Sequence, residues 1–109
     1  MPLVRVASLS QIPPGTLIEV KAGGHAIALC NANGEIHALD GVCPHNGGPL
    51  GQGVLQETAV ACPWHAWEFD CRTGELDYNP VVRVPKYPVT IDGDDVLIEL
   101  EAGFGARAS

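Results

Sequence analysis

Basic side chains are scarce. Six Lys and Arg stand against thirteen Asp and Glu, a formal net charge of −7. An excess of that sign repels phosphate backbones and excludes a nucleic-acid partner. Long hydrophobic runs are missing too, and the longest is far too short to span a membrane. Nothing near the start has the basic, then apolar, then small-residue order of a secretory signal. The expectation is a cytoplasmic protein with no membrane association, in a compartment that keeps cysteines reduced. No internal repeat and no convincing helical period are found. A chain of 109 residues also leaves no room for a second domain, so one domain over 1–109 is expected.

Turn formers are abundant instead. Thirteen Gly and nine Pro make up about a fifth of the chain, against a usual ~12%. Short strands joined by turns are therefore expected. The opening segment reads as a strand, a turn at Pro13, Pro14 and Gly15, and a second strand with clear alternation from Leu17 to Val20. Gly23-Gly24 marks a hairpin, and Ala26 to Cys30 returns from it. Asn33-Gly34 is the strongest turn signal, because both residues tolerate the positive φ of a tight hairpin, and Glu35 to Leu39 follows. Between Gly41 and about Pro80, Gly and Pro punctuate the chain, and Glu57 to Ala61 and Ala66 to Asp70 can pair as strands. Tyr87 to Asp92 and Val96 to Leu100 flank a Gly93-Asp94-Asp95 turn and close the chain as a hairpin. The expected fold is all-β, an antiparallel β-sandwich or small barrel with a loop-rich subdomain inserted at 41–80.

The cysteines and histidines carry the chemistry. Cys43 and His45 sit one residue apart in CPH, Cys62 and His65 sit two apart in CPWH, and sixteen residues separate the pairs. Each pair falls in a Gly/Pro-bounded loop after an expected strand, where soft thiolate and imidazole ligands can converge on a metal. Zinc fingers commonly bring two cysteines from one element and two histidines from another. Here each loop brings one of each. A binuclear centre with chemically distinct ends uses that mixture, with one thiolate per loop for the first metal and one imidazole per loop for the second. A structural zinc site would use the same four residues, and colour and visible absorption separate the two.

CPHNGG, followed after sixteen residues by CPWHAWEFD and a trailing RTG, resembles the Rieske iron–sulfur family in its low-potential, oxygenase-associated form. The flanking GEIHALDGVC and NPVVRVPKYPV extend the likeness over most of the chain. The resemblance implies a Rieske-type [2Fe–2S] cluster, one per chain, with Cys43 and Cys62 on one iron and His45 and His65 on the other. It also implies a third loop over the cluster at Pro80. The high-potential respiratory branch has a disulfide between positions that correspond to Gly48 and Trp64, and hydroxyls at positions that correspond to Trp67 and Phe69; this chain has neither. Each lost hydroxyl bond, at ~1–2 kcal/mol, lowers the potential by roughly 40–85 mV. A midpoint at the low end of the Rieske window follows, flat at neutral pH and falling at alkaline pH as the bound imidazoles deprotonate.

That resemblance makes the chain a one-electron carrier between a flavin-dependent reductase and a terminal ring-hydroxylating oxygenase. The alternative is the small Rieske-like subunit of an NAD(P)H-dependent nitrite reductase, bound to a large catalytic subunit. A self-contained oxygenase is excluded, since only His25 and His37 remain for a catalytic iron. Cys71 reads as a small buried residue or free thiol, Cys30 as a core residue, and His25 and His37 as strand or turn surface. Trp64 is read as packing or docking surface and Trp67 as packing. Glu57, Glu68, Asp70, Glu75 and Asp77 give the cluster region an acidic cast suited to steering toward a basic partner face.

Overall fold

A computed structural model describes residues 3–42, 49–62, 68–76 and 79–99, with 79–83 as backbone only. Its regular structure is almost wholly antiparallel strand, in three sheets of three, four and five strands. No described helix is long and apolar enough to cross a membrane.

The four-stranded sheet is the middle layer. It consists of β2 (Leu17–Ala22), β3 (His25–Ala32), β4 (Glu35–Asp40) and, on the far side of β4, β10 (Lys86–Tyr87). Two-residue turns join the first three. Gly23 and Gly24 take φ of 57° and 82°, and Asn33 and Gly34 take 56° and 94°, the double positive-φ geometry expected of these dipeptides. Asn31 locks the second turn from behind. Its buried side chain donates to the Ile12 carbonyl at 2.7 Å and accepts the Gly34 N–H at 2.8 Å.

β3 is buried on both faces, which explains its nearly unbroken apolar run. Ile27 and Leu29 face one core, with Ile12, Ala38, Tyr87, Val96 and Ile98; Ala28, Cys30 and Ala32 face a second, with Leu39, Leu50, Val60, Phe69 and Cys71. The first core lies under a three-stranded sheet in which β12 (Asp95–Ile98) pairs with β1 (Val4–Ser8) on one side and β11 (Val89–Asp92) on the other. Arg5 Nε donates to Asp95 Oδ1 at 2.8 Å, and Leu9 N–H donates to the Asp94 carbonyl at 2.7 Å.

The inserted region carries a sheet of five short strands. Its order is β5 (Val54–Gln56), β6 (Ala59–Ala61), β7 (Glu68–Asp70), β8 (Glu75–Leu76) and β9 (Asn79–Arg83). The strand expected from Glu57 starts at Ala59, because Glu57 and Thr58 make the β5–β6 turn, with Glu57 at φ 57°. A turn without glycine left no mark in the sequence. The loop expected at Pro80 is corrected in the same way. Pro80 lies within β9, the terminal strand of this sheet, where a residue without an N–H is tolerated. The closing hairpin forms as expected, β11 pairing with β12 across the Gly93-Asp94 turn, but its first strand begins at Val89, since Pro88 separates it from Tyr87 in β10.

Candidate metal centre

The chain leaves the middle sheet for its first Cys/His loop at Gly41. Gly41 N–H donates to the Ala26 carbonyl at 2.8 Å, and a Cβ added at Gly41 would lie 2.8 Å from that same oxygen. Glycine lets the backbone press against β3 as it departs. Val42 forms a bridge with Pro49, and Leu50 N–H donates to the Gly41 carbonyl at 2.9 Å. Segment 43–48 thus leaves and returns at one pinned point. Cys43 and His45 belong to that segment, outside the described residues.

The return from the first loop runs directly against the approach to the second. After a short 3-10 turn at Leu50–Gln52, Gly53 abuts the Ala61 carbonyl so closely that an added Cβ would fall 1.9 Å from its oxygen. Val54 then pairs with Ala61 across β5 and β6. The next residue is Cys62, 1% exposed, in the core with Leu39, Leu50, Val60 and Phe69. Segment 63–67, with His65, Trp64 and Trp67, lies outside the described residues, as does Gly48. Of the four expected ligands the structure therefore describes Cys62, together with the flanks of both Cys/His segments, which meet at Gly53 and Ala61.

The donor chemistry fits an iron–sulfur cluster held from those segments. Cys62 is a free cysteine, is buried, and follows directly on β6. Among the described residues no group of three or more His, Cys, Asp or Glu could hold a metal, so Cys71 builds no rival site there. Phe69 is fully buried in the core below, without a hydroxyl to offer toward a cluster sulfur.

Around β7 the charges are already engaged. Arg72 donates to both oxygens of Asp70, at 3.2 Å and 3.0 Å, and this guanidinium holds the carboxyl below its usual range. Asp70 is thereby spoken for, while Glu57 and Glu68 are exposed and remain suited to steering. His37 differs from the surface residue expected. Its side chain is only 17% exposed, with Nδ1 3.4 Å from Lys86 Nζ and Nε2 3.4 Å from Glu35. Burial, and then the Lys86 charge, lower its pKa. Lys86 Nζ also donates to the Arg72 carbonyl.

Cys30 and Cys71 are both fully buried, as expected. Cys30 Sγ donates to the His37 carbonyl at 3.7 Å. The Cys71 side chain and burial push the Cys30 thiol up, while Cys30 outweighs burial at Cys71 and lowers it.

A family model for the Rieske [2Fe-2S] domain matches residues 3–88. The ferredoxin component of naphthalene 1,2-dioxygenase/salicylate 5-hydroxylase systems from a Ralstonia species is 34% identical, over 90% of this chain and 95% of its own length. The ferredoxin component of biphenyl 2,3-dioxygenase from Rhodococcus jostii is 34% identical, over 94% and 97%. The solved ferredoxin of carbazole 1,9a-dioxygenase from Nocardioides aromaticivorans superposes with a TM-score of 0.82 at 30% identity, covering 90% of this chain and 97% of its own. The chain belongs to the Rieske [2Fe–2S] domain family, and its cofactor is the Rieske-type cluster that defines that family.

Proposed function

We propose that this protein is a ferredoxin of an oxygenase system, a one-electron carrier working in the cytoplasm. It accepts electrons from a flavin-dependent reductase and passes them singly to a terminal ring-hydroxylating oxygenase. It transfers electrons and transforms no substrate of its own. Residues 1–109 act as one domain, with 41–80 as the cluster-binding subdomain. The ferredoxin reading stands ahead of a nitrite reductase small subunit because dioxygenase ferredoxin components are 34% identical over nearly their whole length, whereas solved nitrite reductase small subunits, covered as fully, are 18% and 22% identical.

In this reading Cys43 and Cys62 hold one iron and His45 and His65 the other. When bound, the cluster supplies a site that takes up and releases one electron at a time. The chain's own contribution is rigidity and exclusion of water. Val42–Pro49 pairing and the Gly53–Ala61 contact fix the two loop bases against each other, and Leu39, Leu50, Val60 and Phe69 wall the Cys62 side with hydrocarbon. Neutral imidazoles in place of two thiolates leave the site less negative and easier to reduce than an all-cysteine cluster. Phe69 keeps the potential toward the low end of that range by contributing no hydrogen bond.

The observation that carries the reading is the abutment of the two loop bases at Gly53 and Ala61, one residue before the buried Cys62. The deciding experiment is an EPR spectrum of the dithionite-reduced protein, with a redox titration alongside. A rhombic signal of mixed His/Cys ligation and a low midpoint that falls above neutral pH are expected. A colourless protein with stoichiometric zinc, or a midpoint above about +150 mV, overturns it.

A further inference from the structure

We propose that the outer face of the five-stranded sheet docks an electron-transfer protein whose own contact face is apolar at its centre and rimmed with Lys and Arg. The proposal rests on the electron-carrier reading and adds to it a surface and the kind of face that meets it. Directly opposed residues of antiparallel strands project to the same side of a sheet. Leu55, Val60, Phe69 and Leu76 oppose one another across β5 to β8 and turn inward to the core. The rows on either side, Val54 with Ala61 and Glu68, and Gln56 with Ala59 and Asp70, therefore face outward, and all six residues are exposed or half-exposed. Val54 is 58% exposed, the most open of the large apolar side chains among the described residues. Ala59 and Ala61 beside it are small enough to let a partner reach the backbone.

Position ties this face to electron transfer. Ala61 is followed directly by Cys62, and Glu68 follows the segment that holds His65. A partner seated on Ala61 is one residue, about 4 Å of chain, from a proposed ligand. Charge decides the occupant. No Lys or Arg occurs from 22 to 71, a stretch with five Asp or Glu and all four proposed ligands, whereas the rest of the chain sets six basic residues against eight acidic. On the face itself Glu57 and Glu68 are exposed, and the nearest cation along the chain, Arg72, is held on Asp70. Such a surface repels a second copy of this chain, at net charge −7, and attracts a basic face.

The test is a stopped-flow measurement on the holoprotein, reduced with dithionite and freed of excess reagent. Two oxidants are used separately: mitochondrial cytochrome c, a basic one-electron acceptor protein, and a small neutral benzoquinone. The ratio of the two rate constants reads docking apart from the reactivity of the cluster. At about 10 mM salt the ratio should exceed its value at about 200 mM by ~5-fold or more. Glu68→Lys should lower the low-salt ratio at least ~5-fold and Val54→Asn ~3-fold, while Asp92→Lys on β11, across the middle sheet, should lower it less than ~2-fold. Equal losses in Glu68→Lys and Asp92→Lys mean that net charge alone acts, and overturn the proposal. So does an unchanged ratio in Val54→Asn, or a holoprotein that elutes as a dimer which Val54→Asn breaks, since a second copy then occupies the face. Should Glu68→Lys fold poorly, Glu68→Gln reads the same direction with a smaller loss. A wild-type protein inert toward both oxidants fails the electron-carrier reading and takes the docking face with it. One that reduces both, with a ratio the variants do not move, fails the docking face alone.

Discussion

The two faces of the middle sheet are built from different materials. On one, Ile27 and Leu29 meet Ile12, Val96, Ile98 and Tyr87, all large and all at most 2% exposed. On the other, β3 itself offers only Ala28, Cys30 and Ala32, which meet Leu39, Leu50, Val60 and Phe69 together with Cys62 and Cys71, so that three cysteines join the wall. Ile27 and Leu29 bury more hydrocarbon from β3 itself on the first face than Ala28, Cys30 and Ala32 do on the second. Small residues make the second a seat, letting the five-stranded sheet approach closely while thiols remain at the contact. Branched hydrocarbon and cysteine are thereby placed on opposite sides of the same strand.

That division can be broken most forcefully at the ligands. Cys62→Ser should abolish the visible absorption of the cluster completely while the far-UV circular dichroism of the aliphatic side persists. Loss of both together would show that the aliphatic face cannot stand without the cofactor. Next in size is Leu29→Ala, which should cost ~2–5 kcal/mol in chemical denaturation, whereas Cys30→Ala on the neighbouring position should cost less than half as much. Equal costs would erase the contrast. Gly53→Ala tests the junction of the two loop bases. The added methyl collides with the Ala61 carbonyl, so ~1–3 kcal/mol should be lost and the cluster should be released faster in a chelator assay.

The smallest effect is a pH dependence on the sulfur-bearing side. His37 is held below its ordinary pKa by burial and by Lys86, against the opposing pull of Glu35 and Asp70. With the folded value depressed, the unfolded chain binds the proton more readily, so stability is full above about pH 6.5 and declines as pH falls toward the folded value. Melting temperature should drop modestly from pH 7 to pH 5, and His37→Gln should flatten that slope. A slope unchanged in the variant would place its origin elsewhere.

Much of this was legible from residues alone. Asn33-Gly34 and Gly23-Gly24 announced their hairpins because positive φ is a local demand that few other residues meet. The Cys/His grouping announced a binuclear centre because ligand type and spacing are themselves chemistry. Legibility failed where the determinant was remote. Glu57 turns without glycine because pairing of β5 with β6 enforces it. Pro80 sits in a strand because that strand is terminal, a fact of sheet order and not of neighbours in the chain.

Hairpin positions, the family motifs and the acidic balance were thus written into the chain, since each depends on the properties of a few adjacent side chains. Which face of β3 met which sheet, the meeting of Cys30 and Cys71 in one core, and the partial burial of His37 were settled only by folding. Those outcomes depend on contacts between segments distant in sequence, and no local pattern encodes which distant surface a side chain will meet.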